Sequence, residues 1–244
     1  MYEKVLSDLR SGIPVLLYDE EKREGETDMV VASQFVTPDV VRRMRKDAGG
    51  YICTTVREED ARLLGLPLMQ EFLSGAIPEY ARLFDQSDLR YDKSSPFSFT
   101  INHRNTFTGI SDEDRSLTIR EFSSFLSTLD SSDGRRVEFQ DNFRCPGHVN
   151  LIIARDGYFS RRRGHTELST FMAEEAGLIP SATVVEMLSD TGKSMNKEEA
   201  IAYAERNSLT FIEGKEIIAQ WANGQNNGLG RLRPAASRSS ALPS

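Results

Sequence analysis

Apolar and polar positions along the chain fall into short blocks that switch between two periods. Residues 2–11 place Val5, Leu6 and Leu9 on one face at helical spacing. IPVLLYD is an apolar run that opens on Pro14, and TDMVVASQFV follows it beyond a charged turn; both read as strands. TPDVVRRMRKDAGG reads as a helix, with Thr37 as cap, Pro38 as first residue and Gly49 and Gly50 at its end. YICTTV, FSFTI, HVNLIIA, ATVVEML and LTFI supply five further short strands. DEDRSLTIREFSSFLSTL, the segment from HTELSTF to Gly177, NKEEAIAYAERNS and GKEIIAQWA read as helices. Residues 58–90 mix short helical pieces with Pro and Gly turns.

No internal repeat or linker interrupts residues 1–222. The pattern predicts one α+β domain with a mixed sheet and helices packed on it. From Asn223 to Ser244 the chain is mostly Asn, Gly, Ser, Arg, Pro and Ala, and a disordered tail is expected there.

The totals narrow the class further. A chain of 244 residues, 39% hydrophobic and 27% charged, has an ordinary globular balance and ample length for a core. No apolar run approaches the roughly 20 residues of a membrane span, and the charged N-terminal stretch is no secretory signal. Two cysteines supply neither a disulfide framework nor a four-ligand zinc set. A soluble cytoplasmic protein is expected. The net charge of −7 argues against a general nucleic-acid binder.

The charged turn between the first two strands is REGETD. In an extended chain its Glu24, Glu26 and Asp28 would share one face. Crowded carboxylates repel and hold protons unless a positive charge compensates. A divalent metal does so, and magnesium takes one or two carboxylates while keeping its waters. The remaining acids are then free for proton transfer. The same hexapeptide also suits a solvated acidic turn.

A second cluster lies at RRRGHTE. Gly164 lets the backbone come close, a helix starts there, and arginine forks suit phosphate. It reads as a clamp for phosphate or carboxylate beside a metal-capable imidazole, His165, or as a basic surface turn. His148, in FRCPGHV, stands just before an apolar run and is structural or functional. Glu186 interrupts the strand ATVVEML; it is buried and paired or functional, or it faces solvent at the strand end. Cys53, in YICTTV, suits a small core residue.

REGETD, KDAGGYICT, SFTINHRNTFTGISDEDR, FRCPGHV, RRRGHTE and VVEM occur in this order. Together they closely resemble the 3,4-dihydroxy-2-butanone 4-phosphate synthase family of riboflavin biosynthesis, in its archaeal form, over residues 3–222. The resemblance implies a single-domain α/β/α sandwich and a homodimer with active sites at the subunit interface. It implies conversion of ribulose 5-phosphate to 3,4-dihydroxy-2-butanone 4-phosphate and formate, through a metal-held enediol and a skeletal rearrangement. It implies a lyase that uses magnesium, or manganese in its place, and no organic cofactor, nucleic acid or membrane. Carried over by motif, Glu24 and His165 resemble the metal ligands. Arg23, Glu24 and Asp28 resemble substrate contacts, as do Arg162, Gly164, His165 and Thr166, with Arg163 at a variable position. His148 and Glu186 match two positions regarded as essential, and Glu26 and Asp28 are further acid/base candidates. Cys53 and Thr108 match residues lining the site. Cys145 and Ser116 depart from the usual Ser and Ala. A fused GTP cyclohydrolase II part, present in some bacterial relatives, is not expected.

Two other readings compete. A magnesium-dependent phosphosugar isomerase or aldolase would release no formate. An anion- or RNA-binding module would use RRRGHT and the basic stretch RRMRK, but it fits poorly with the acidic balance.

Overall fold

The computed structural model describes residues 1–92, 94–130 and 134–226. The chain runs through α1 (Tyr2–Arg10), β1 (Val15–Tyr18), β2 (Thr27–Ala32), α2 (Pro38–Asp47), β3 (Cys53–Arg57), α3 (Glu58–Leu64), α4 (Met69–Ala76) and α5 (Ala81–Phe84). It continues with β4 (Phe97–His103), α6 (Asp112–Ser127), α7 (Arg135–Asn142), β5 (Phe143–Ala154), α8 (His165–Glu175), β6 (Ala182–Glu186), α9 (Lys197–Arg206), β7 (Thr210–Glu213) and α10 (Gly214–Asn226). The tail expected from Asn223 begins inside α10, and residues 227–244 lie outside the described residues.

Seven strands form one sheet in the order β4-β5-β3-β6-β2-β1-β7. β1 pairs with β7 and β3 with β5 in parallel; the other neighbours are antiparallel. The sheet is therefore mixed, as the pattern predicts. Side chains alternate between its faces. Leu16, Met29, Val31 and Val185 enter one core with Val41 and Met44 of α2 and Ile119 and Phe122 of α6. Val15, Leu17, Val30 and Val184 enter the other with Leu9 of α1, Leu168 and Met172 of α8 and Ile217 of α10. Burial on both faces explains why these strands read as unbroken apolar runs, and it makes three layers, helices–sheet–helices.

Three elements differ from the sequence pattern. β2 ends at Ala32 rather than Val36, because the Ser33 hydroxyl turns inward to meet those of Ser181 and Thr183. α7 was not signalled; it shows no clear apolar stripe. β5 starts at Phe143, five residues ahead of His148. Its first part pairs with the edge strand β4 through Asn102↔Arg144 and His103↔Phe143, with a register shift that accommodates Pro146, which has no N–H to donate.

Candidate active site

The site is built where β2 and β3 begin and β6 ends, beside the start of α8. Tyr18 closes β1, and the buried Asp19 takes over the turn that follows. Its two carboxylate oxygens accept from the backbone N–H groups of Glu24 (3.2 Å) and Glu26 (3.1 Å) and from Arg23 Nη1 (2.9 Å). Gly25 sits at φ +68°, which the loop needs to reverse. Because of this turn, Glu24, Glu26 and Asp28 do not form one extended carboxylate row. Glu24 reaches His165, the Glu26 carboxylate accepts from the Ser194 hydroxyl, and Asp28 stands on β2.

β2 pairs with β6 so that Asp28 lies directly opposite Glu186. Glu186 does not face open solvent; it lines a cavity of about 290 Å³ together with Glu24, Asp28, Cys53, Arg162, His165 and Thr166. Gly164 caps α8, and the first turn presents His165 and Thr166 to this cavity while Glu167 is fully buried behind it. Arg162 donates from Nη1 to Glu167 (2.7 Å) and Thr166 (3.2 Å). Its Cβ-less neighbour matters: a Cβ on Gly164 would lie 2.4 Å from Arg162 Nη1 and 2.7 Å from Arg23 Nη2. The glycine thus lets two guanidiniums converge at the helix start, where free N–H groups already favour an anion.

His165 is held from both sides. Nε2 lies 3.2 Å from the Glu26 carbonyl, and Nδ1 lies 3.3 Å from Glu24 Oε2. The carbonyl fixes a proton on Nε2 and leaves Nδ1 facing a carboxylate, the arrangement typical of a metal-binding histidine. Asp28 Oδ1, buried and 3.7 Å from Nε2, has no hydrogen-bond partner. Asp19, Glu24 and His165 bring one ligand atom each within 4.8 Å of one another. The Asp19 oxygens are committed to the loop backbone and Arg23; Glu24, whose Oε2 also pairs with Arg23 Nη1 (2.8 Å), and His165 are the donors that face each other. A hard divalent cation fits this oxygen-rich set.

The electrostatics separate the acids. Burial pushes Glu24 up, but the hydrogen bond and charge of His165 and the charge of Arg23 outweigh it, and Glu24 falls to about 2. Asp28 is raised to about 7 by burial and by the Glu186, Glu24 and Glu26 carboxylates, against the pull of His165. Glu186 is also raised, mainly by burial. Burial lowers His165, yet Asp28, Glu24 and Asp19 lift it to about 9. Burial and the nearby acids raise the Cys53 thiol, so it stays protonated.

Other residues named from sequence lie elsewhere. Arg163 is exposed and its Nε turns to the Phe159 carbonyl. His148 and Thr108 do not line the cavity; they make a second group at the β4–β5 edge. There Asn102 Oδ1 accepts from the His148 backbone N–H (2.9 Å), and Asn102 Nδ2 lies 3.1 Å from His148 Nδ1. Asp114 gathers the N–H groups of Phe107, Thr108 and Gly109. Sequence reasoning missed Asp19, Asn102, Asp92 and Glu167. Asp19 and Asp92 hid in polar runs. The alternating strand SFTINH, with one amide at its buried end, was the available signal for Asn102.

A cavity with a carboxyl raised to near neutral pH, a metal-capable imidazole–carboxylate pair, Arg162 in its wall and Arg23 paired to two of its lining acids has the make-up of an acid/base enzyme site for an anionic ligand. The family model for 3,4-dihydroxy-2-butanone 4-phosphate synthase matches residues 3–220. The synthase of Archaeoglobus fulgidus is 43% identical over 224 residues, 90% of this chain and 93% of that protein. That of Methanothermobacter thermautotrophicus is 44% identical, over 91% of this chain and 96% of its own. The Candida albicans synthase structure superposes with a TM-score of 0.70 at 26% identity, covering 89% of this chain and 95% of that one. The chain belongs to the 3,4-dihydroxy-2-butanone 4-phosphate synthase family, enzymes of riboflavin biosynthesis. Its fold is the family's, a single α+β domain.

Proposed function

We propose that the chain converts D-ribulose 5-phosphate to 3,4-dihydroxy-2-butanone 4-phosphate and formate, as a lyase. The observation that carries this reading is the single cavity in which Glu24 and His165 stand beside Asp28, Glu186 and Arg162. Arg23, Arg162, Thr166 and the N-terminal turn of α8 receive the phosphate. Glu24 and His165 hold the divalent ion, magnesium or manganese, which supplies positive charge where negative charge develops on the substrate oxygens.

Glu24, held near 2, stays ionised and serves as ligand rather than base. Asp28, at about 7, can take or return a proton near neutral pH, and Glu186 faces it across the strand pair. One of these acids removes a proton from the substrate to give an enediol. Loss of water forms the methyl ketone end. A skeletal rearrangement then joins carbons three and five, water returns, and carbon four leaves as formate, so the products together contain the atoms of the substrate. Glu26, hydrogen-bonded to Ser194, tunes Asp28 by its charge.

His148 and Thr108 complete the site from a second copy of the chain, in a homodimer with the cavity at the interface. The exposed side chains of Phe107 and Ile110, beside Thr108, support such a contact. His148 Nδ1 accepts from Asn102, leaving Nε2–H outward as a hydrogen-bond donor. Residues 1–222 are the catalytic unit. Both cysteines are free thiols and no helix of the described residues is long and apolar enough to cross a membrane, which suits the cytoplasm.

The test is purified protein with ribulose 5-phosphate, with and without magnesium, followed by NMR. Metal-dependent formate equal to the four-carbon phosphate is expected. An altered sugar phosphate without formate would replace this reading by an isomerase or aldolase.

A further inference from the structure

The two guanidiniums that converge at the start of α8, beside the cavity, already share an anion. Arg23 Nη2 lies 2.5 Å and Arg162 Nε 2.8 Å from the same oxygen, Oδ2 of Asp92. Asp92 comes from the segment after α5, which is neither helix nor strand over residues 85–92. That segment walls the cavity with Gln86, Leu89 and Tyr91. The Tyr91 ring stacks on Arg23 at 5.3 Å and is itself 44% exposed.

Neither arginine needs Asp92 for its position. Arg162 is gripped by the fully buried Glu167 and by Thr166. Arg23 is gripped by Asp19 and Glu24. Asp92 adds a further carboxylate to a site where Asp19, Glu24, Asp28, Glu167 and Glu186 already outnumber Arg23, Arg162 and His165. With Asp92 in place, both guanidiniums are neutralised and the approach of an anion is opposed. A phosphate offers more charge and three acceptor oxygens, whereas Asp92 offers one shared oxygen.

We infer that Asp92 is an internal stand-in for the ligand's phosphate, and that an arriving phosphate displaces it and swings residues 85–92 off the two arginines. The inference rests on the cavity being an anion site as read above. It makes the segment a gate that opens to a phosphate and stays shut on neutral sugars, which cannot displace a carboxylate from two arginines. The gate therefore adds selectivity for the phosphorylated substrate.

The experiment is calorimetric titration of inorganic phosphate into the full chain, free of metal, for the wild type and Asp92→Asn. The amide keeps the shape and removes the charge. Phosphate should bind Asp92→Asn at least about tenfold tighter, since a charge-assisted competitor is gone. Equal or weaker binding, or none in either protein, would overturn the inference and make Asp92 a support for the arginines. Hydrogen exchange gives a second readout in the wild type alone. Phosphate should speed exchange over residues 85–92; slowed exchange would mean closure on the anion and would also overturn it. Formate release is measured separately. Tighter phosphate binding without formate would leave the gate standing and remove the proposed reaction, and normal formate with unmoved phosphate binding would do the reverse.

Discussion

Asn102 holds His148 through both ends of its carboxamide: Oδ1 takes the backbone N–H at 2.9 Å and Nδ2 meets Nδ1 at 3.1 Å. The first contact fixes which end of the amide is oxygen, so the second must be a donation to the ring. His148 is thereby set as the Nε2–H tautomer. Replacing Asn102 by alanine should lower kcat roughly tenfold to a hundredfold, as misplacing a group does, and less than removing a whole acid/base group. KM should move little, because the phosphate is assigned to Arg23, Arg162, Thr166 and the start of α8 rather than to His148. Steady-state formate release checks the split.

Removing either proposed metal donor should separate binding from folding. Glu24→Gln and His165→Ala should each abolish turnover. Magnesium affinity measured by titration should fall at least about tenfold. A double variant that still made formate at a near-normal rate would remove the metal assignment.

The raised groups set a pH dependence with a definite sign. Without metal, His165 is lifted from 6.5 to about 9. Its contribution to stability is full below 6.5 and is lost as pH rises toward 9. Asp28, lifted from 3.8 to about 7, acts in the same direction at lower pH, because the unfolded chain gives up that proton first. The melting temperature of the metal-free protein should therefore drift down between pH 6.5 and 9. Over the same window magnesium should bind more tightly and release protons, which titration in two buffers of different ionisation enthalpy will show.

Two glycines should behave differently when changed to alanine. At Gly164 the nearest atoms to the new methyl are guanidinium ends, which can shift only by loosening their ion pairs to Asp19, Glu24 and Glu167. The fold should lose about 1–3 kcal/mol, while KM for the phosphate substrate rises. At Gly147 a Cβ would lie 1.9 Å from the Ile101 carbonyl carbon, which cannot move without parting β4 from β5. Gly147→Ala should cost about 4 kcal/mol or more, or fail to fold. Denaturant melts alongside the kinetics distinguish the two.

The layers were legible because the strands are buried on both faces. Apolar runs such as IPVLLY and HVNLIIA leave little alternative, and the caps at Thr37 and Gly164 mark their helices directly. The site was legible as residue types, less so as geometry. Strand periodicity placed Glu24, Glu26 and Asp28 on one face, but Gly25 breaks the extended backbone, and a positive φ is not written in a hydrophobic pattern. Asp19 looked like one more solvated acid beside Glu20 and Glu21; only the fold shows that it alone of the three is buried. Glu186 was ambiguous until its strand partner was known, since pairing between positions 28 and 186 leaves no local trace.

That pairing, Asp28 opposite Glu186 across β2 and β6, places two carboxylates on neighbouring backbones at a distance the ladder itself dictates. Neither side chain can drift away without unzipping the middle of the sheet. Like charges so placed would weaken a sheet, and the raised pKa of Asp28, about 7, shows how the chain avoids it: the carboxyl keeps its proton up to that pH. The proton is therefore a structural part of the central strand pair, held between two backbones that cannot separate to release it.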